Sequence, residues 1–214
     1  MNSDYQSIKR YAEIEFEEKK SRFIGIAKPL ENPGQAEEFI AEQRSRFPDA
    51  THHVYAWVLN KPQHLQRYSD DGEPQGTAGL PVLDVLQKQN LVQAGIVVIR
   101  YYGGVKLGTG GLVRAYSKSA SLAVEKAEPI VWLTHRIYNV RCDYSNAERV
   151  RFQLNQLKYN QTEPEYTVDV SWKVAVRPEN EEQFITILKD LTSDNINYQR
   201  GKLQLFPSAI NKDN

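Results

Sequence analysis

The 214 residues carry 27 basic against 27 acidic side chains with 40% hydrophobic and 10% aromatic residues. That is too rich in core formers for a disordered chain and too evenly charged for a global field that would draw it onto nucleic acid or an anionic membrane. A single cysteine, Cys142, excludes an internal disulfide, a zinc ribbon and a redox dithiol. Apolar runs fall far short of the ~18 residues of a membrane helix and Met1 leads into Asn-Ser-Asp rather than a signal segment, so a reduced, cytoplasmic setting is expected.

From the N-terminus, Ile8 to Lys28 alternates through Tyr11, Ile14, Phe16, Phe23, Ile24 and Ile26 around Lys19-Lys20-Ser21, which reads as two antiparallel strands and a turn. Asn32-Pro33-Gly34 then introduces Ala36, Phe39, Ile40 and Phe47 at helical spacing, with acidic residues early, Arg44 and Arg46 late, and Pro48 as the stop. Thr51 to Leu59 is a strand; period two separates His53, Tyr55 and Trp57 from His52, Val54, Ala56 and Val58, and the second set is expected to face the core. Lys61 to Gly79, punctuated by Pro62, Gly72, Pro74 and Gly76, reads as one long loop. A short helix over Pro81 to Gln89 follows, and the apolar run Ala94 to Tyr102 has the character of a strand buried on both faces.

That strand runs into the glycine-rich segment 103–111 and then a helix over Leu112 to Lys126, whose Ala115, Ser119, Ala120 and Ala123 permit close packing. After a break at Glu128-Pro129 a second unit reads as a strand (137–142), a helix (147–158), a strand pair (161–177) with Val168, Val170, Trp172, Val174 and Val176 alternating, a helix (179–191) and a strand (196–206). This is the ferredoxin-like βαββαβ order. The fold class expected is therefore α+β in two domains, 1–134 and 135–206, with Pro207 to Asn214 as a frayed tail.

Consecutive glycines at a helix N-terminus expose unpaired N–H groups where the dipole adds partial positive charge, so an anion fits at Gly108, Thr109, Gly110 and Gly111. The segment is neither a Walker A loop nor a dinucleotide fingerprint, and the glycines could equally serve tight turns and close packing. Lys106, Arg114 and Lys118 could add charge-assisted bonds to phosphate; between Lys61 and Ala120 there are seven basic residues against four acidic. His53, Tyr55 and Trp57 could stack bases or pack beneath a loop. His52 reads as a hydrogen-bonded structural histidine more readily than as a catalyst. Asp70, Asp71 and Glu73 could hold a magnesium ion or act as acid and base, or form a solvated turn. No nucleophile arrangement can be assembled around the four histidines and the cysteine.

Three stretches, 51–53 (Thr-His-His), 69–79 (Ser-Asp-Asp-Gly-Glu-Pro-Gln-Gly-Thr-Ala-Gly) and 99–108 (Ile-Arg-Tyr-Tyr-Gly-Gly-Val-Lys-Leu-Gly), closely resemble the IMPACT family. The C-terminal half resembles the small ferredoxin-like domain attached to its bacterial members. The resemblance implies an N-terminal domain like the fourth domain of elongation factor G and a C-terminal domain like its fifth, relatives that contact ribosomes and RNA. Eukaryotic members regulate translation through protein partners, by way of an extra N-terminal interaction domain to which the resemblance does not extend.

The expectation is an RNA- or ribosome-binding module, with a translation-related protein as a possible partner. Arg100, Lys106, Arg114 and Lys118 would neutralise phosphates, Gly103 and Gly104 would shape the loop, the N–H groups at Gly108 to Gly111 would take one phosphate, and Tyr101 or Tyr102 would stack on a base. No cofactor or metal is called for. The alternative is an enzyme acting on a small phosphorylated substrate, with a metal held by the acidic loop 69–73.

Overall fold

A computed structural model of the protein describes residues 4–60 and 62–209. The chain divides within one strand: Tyr5–Val131 forms one compact unit, and Trp132–Ser208 together with Asp4 forms the other.

The first unit is built on a five-stranded antiparallel sheet in the order β2-β3-β6-β4-β5. β2 (Ala12–Glu18) and β3 (Ser21–Pro29) form the expected hairpin, with Lys19 and Lys20 at its turn, both at positive φ. β6 (Ala94–Tyr101) is the central strand, antiparallel to β3 on one side and to β4 (His52–Leu59) on the other. The expected long loop from Lys61 is shorter than its composition suggests: β5 (Leu65–Ser69) pairs with β4, leaving 70–78 as the true loop, while Lys61 itself lies outside the described residues. A further strand, β1 (Tyr5–Ile8), was not legible in the sequence; it is anchored by a bridge from Gln6 to Leu91 and by Ser7 Oγ donating to the Gln93 carbonyl.

The sheet is covered on both faces, which is why β6 is apolar from Ala94 to Ile99. Helix α1 (Pro33–Arg46), capped by the Asn32 side chain accepting from the Gln35 N–H, packs Ala36 and Phe39 against Ile24, Trp57, Val97 and Ile99. Its first turn holds no acidic residue; Glu37 and Glu38 follow directly, and Arg44 and Arg46 lie in its last turn. On the other face α2 (Gly79–Lys88) and α3 (Thr109–Lys126) cover Phe23, Val54, Ala56, Ile96 and Val98. Both faces of β4 are therefore core, and the proposed stacking face of His53, Tyr55 and Trp57 is occupied by α1: Trp57 is buried and the His53 ring nitrogen Nε2 is bonded to the Phe47 carbonyl. α3 begins three residues earlier than expected, so Thr109, Gly110 and Gly111 form its first turn.

β7 (Pro129–Cys142) starts where a break was expected and runs across the division between units. In the second unit, α4 (Tyr144–Gln156) follows it, capped by Asp143. Next come the short strands β8 (Asn160–Gln161) and β9 (Glu165–Tyr166), β10 (Val170–Val176), a single 3-10 turn at Pro178–Asn180, α5 (Glu181–Thr192) and β11 (Asn197–Ala209). β10 lies antiparallel to β7, β8 and β9, and β11 pairs with β7. Val140, Val150, Leu154, Trp172, Val174, Phe184 and Leu188 form the core beneath the two helices. Pro207, expected to open a frayed tail, belongs to β11; residues 210–214 lie outside the described residues.

Candidate functional site

The two motif stretches that stand apart in the sequence meet at the C-terminal end of β6. Register places Phe23, Arg100 and His52 side by side on β3, β6 and β4, on the face covered by α2 and α3. Arg100 is not a surface cation: it is 4% exposed, and its guanidinium donates to Glu73 at 2.6 Å and to Ser21 Oγ at 3.2 Å while lying over the Phe23 and Tyr102 rings. It cannot reach a phosphate backbone from there, and it departs from the expected set of binding cations.

Glu73, expected as a possible metal ligand or base, is the other half of this buried pair. The same carboxylate oxygen accepts from the Tyr116 hydroxyl at 2.8 Å and lies 3.8 Å from His52 Nε2. Burial, reinforced by the adjacent carboxylate, pushes the Tyr116 phenol far above its ordinary range, so it stays protonated and donates. Asp70 accepts the backbone N–H groups of Gly76, Ala78 and Gly79 and so holds the start of α2. Asp71 binds Arg44 and the His53 N–H, and its carbonyl bonds His52 Nδ1. Each carboxylate of the acidic loop thus has its own internal partners, and among the described residues no three His, Cys, Asp or Glu side chains gather as metal ligands.

The glycine-rich segment has different roles at different positions. A Cβ at Gly103 would collide with the Lys20 carbonyl, and the Gly103 N–H donates to Ser21 Oγ at 3.3 Å, so this glycine lets the β2–β3 turn lie directly against the loop. Gly108 takes φ +75° ahead of α3 and brings no capping side chain. The N–H groups of the first turn consequently face outward without an intrahelical acceptor. Gly104, Thr109 and Gly110 are exposed and Gly111 half-buried. Arg114 folds back along the helix, its Nη1 3.5 Å from where a Cβ on Gly110 would stand. Lys106, Arg114 and Lys118 are all exposed, and Lys118 Nζ sits 4.5 Å above the Phe16 ring. Tyr102 is exposed at the loop entrance, whereas Tyr101 is half-buried under Arg22.

Sequence reasoning missed Lys19 and Lys20. The close approach at Gly103 brings their turn beside the loop, and Lys19 lines a cavity of about 220 Å³ with Glu18, Leu107, Gly111, Arg114 and Lys118. Two adjacent lysines at a hairpin turn were the available signal. None of Lys19, Lys20, Lys106, Arg114 and Lys118 forms an ion pair among the described residues. Elsewhere, no helix among the described residues is long and apolar enough to cross a membrane.

Residues 19–124 match the sequence profile of the Impact N-terminal domain and residues 140–195 that of a domain of unknown function, DUF1949. The IMPACT family member YvyE of Bacillus subtilis is 33% identical over 211 residues, covering 99% of this chain and 97% of its own. YigZ of Escherichia coli, another IMPACT family member, is 35% identical over 190 residues, covering 88% of this chain and 90% of its own. The human Protein IMPACT is 28% identical over 118 residues, 53% of this chain and 36% of that one. A solved crystal structure of a hypothetical protein superimposes with a TM-score of 0.59 at 31% identity, covering 100% of both chains. With both domain types present and YvyE matched along nearly its full length, the chain belongs to the IMPACT family, in the two-domain form of its bacterial members.

Proposed function

We propose that this protein binds RNA, free or on the ribosome, through the face formed by the β2–β3 turn, the glycine-rich loop and the first turns of α3, and that it acts in translation. The observation that carries this is the group of five cations without carboxylate partners, Lys19, Lys20, Lys106, Arg114 and Lys118, around outward-facing N–H groups at the start of α3. In a chain of zero net charge, such a local excess is where phosphate oxygens would be held. Tyr102, exposed and backed by the Arg100 guanidinium 5.3 Å from its ring, supplies a stacking surface for a base at the edge of the same face. Binding stays local and modest, because Glu18 lines the cavity too. The pairing of β11 with β7, of β7 with β10 and of β10 with β8, with α4 and α5 in the crossovers, supports a ferredoxin-like reading of the second domain, which would give a second contact to protein or structured RNA.

The test is fluorescence anisotropy of a labelled single-stranded RNA across a salt series, wild type beside Lys106→Ala/Arg114→Ala. Loss of two phosphate contacts should flatten the dependence of log K on log salt by about 1.4, at ~0.7 per contact. An unchanged affinity and slope in the double variant would remove the α3 face from the interface. Absence of RNA and ribosome binding in the wild type would overturn the proposal altogether.

A further inference from the structure

Within the second unit a separate cavity of about 210 Å³ opens between the end of α4, β8 and the start of α5. Its apolar side is Leu157, Ala175 and Ile187. Its other lining residues are His135, Lys158, Tyr159, Asn160, Arg177, Asn180 and Gln183, with no acidic residue among them. Arg177 already carries two carboxylates, Asp4 at 2.7 Å and Glu179 at 2.9 Å, and the His135 Nδ1 is engaged with the Leu133 carbonyl at 3.0 Å. Lys158, an exposed residue of the lining, forms no ion pair among the described residues, so it is the one lysine or arginine of the lining without a carboxylate partner. Its backbone takes φ +60° one residue beyond Leu157, the C-cap of α4.

One lysine without a carboxylate, beside an arginine that already carries two, favours a monoanion over a dianion such as phosphate, because a second negative charge would find no cation of its own and would be repelled by Asp4 and Glu179. The apolar side rewards a short hydrocarbon body. At ~30 Å³ per water the cavity displaces about seven waters, which suits a ligand of amino-acid size and is below the ~300 Å³ at which sites for larger ligands begin. We propose that this cavity binds a small carboxylate with an apolar side group. The same chemistry is presented by a free organic acid and by the C-terminal carboxylate of a peptide.

The experiment is a methyl and amide NMR titration of the full chain with N-acetyl-leucine, with its amide N-acetyl-leucinamide, and with a short peptide ending in free Leu or in Leu-amide. Lys158→Gln, an exposed substitution outside both helices, and Gln183→Ala run alongside. Expected are saturable shifts at Ala175 and Ile187 for the carboxylate, at least fivefold weaker for the amide and for Lys158→Gln. Binding by the free acid alone would assign a metabolite, and equal binding by the free-ended peptide a chain terminus; either supports the site. Carboxylate and amide binding alike, no saturable shift at these residues up to the solubility limit, or an undiminished affinity in Lys158→Gln with a native spectrum would overturn it.

Discussion

Replacing Glu73 by leucine should be among the most damaging single changes in the first unit, although Glu73 sits in a loop. Arg100 is 4% exposed, and the variant leaves its guanidinium with only Ser21 Oγ at 3.2 Å, since its Nε has no partner even in the native protein. Stripping one member from a buried ion pair costs about 3–5 kcal/mol. With a urea m-value of ~2 kcal/mol/M, the unfolding midpoint should fall by about 1.5–2.5 M. Hydrogen exchange of the β6 amides along a urea series measures this for the first unit alone. Replacing the whole cluster, Glu73→Leu/Arg100→Met/Tyr116→Phe, should recover most of the loss, because buried ion pairs are often no more stabilising than apolar groups of similar volume. A single variant within ~1 kcal/mol of wild type, or a triple variant that loses the sum of its parts, would refute the idea that Glu73 acts by compensating Arg100.

Asp70→Ala removes the acceptor of three backbone N–H groups at 2.8 to 3.0 Å and should cost about 2 kcal/mol, read by the same exchange measurement, while RNA affinity is unchanged. In the second unit, the bond from Arg177 holds the Asp4 carboxyl down to about 2. The folded value lies below the unfolded ~3.9, so this stabilisation is present above pH ~4 and is lost as pH falls toward 2. Asp4→Asn should therefore lower stability at neutral pH and flatten its decline between pH 4 and 2, measured by exchange of the β10 amides.

Much of the architecture could be read from periodicity because burial decided it. The apolar run of β6 from Ala94 to Ile99 needs helices on both faces of the sheet, and the alternation of Val170, Trp172, Val174 and Val176 needs a helical cover on one, whereas Val168, expected in the same series, lies before β10 and is exposed. β5 escaped because Gln66, Arg67 and Tyr68 are exposed on an edge strand, where pairing with β4, and not side-chain burial, fixes the backbone. The site was harder. Arg100 has the sequence appearance of a phosphate ligand, but its strand is buried from Ala94 to Arg100, and only the cross-strand register that brings His52 and the loop of Glu73 onto it shows that its charge is spent inside. Lys19 and Lys20 are more than 80 positions from Gly103; their place in the site depends on a backbone approach that no local pattern encodes.

The buried cluster and the exposed cations are parts of one device. Arg100 binds Glu73 of the acidic loop and Ser21 of the β2–β3 turn, and lies under Tyr102 at the entrance to the glycine-rich loop, so one guanidinium ties together three segments distant in sequence. Two of them carry cations of the proposed binding face: Lys19 and Lys20 directly precede Ser21, and Lys106 follows Tyr102 by four residues. Loss of Arg100 or Glu73 would therefore release the turn from the loop as well as destabilise the sheet, so binding and stability should fall together. Lys106 and Arg114 touch no such hub, and their removal should lower binding alone. That separation distinguishes a pre-organised RNA-binding face from a merely basic surface, which would tolerate a loosened turn with its affinity intact.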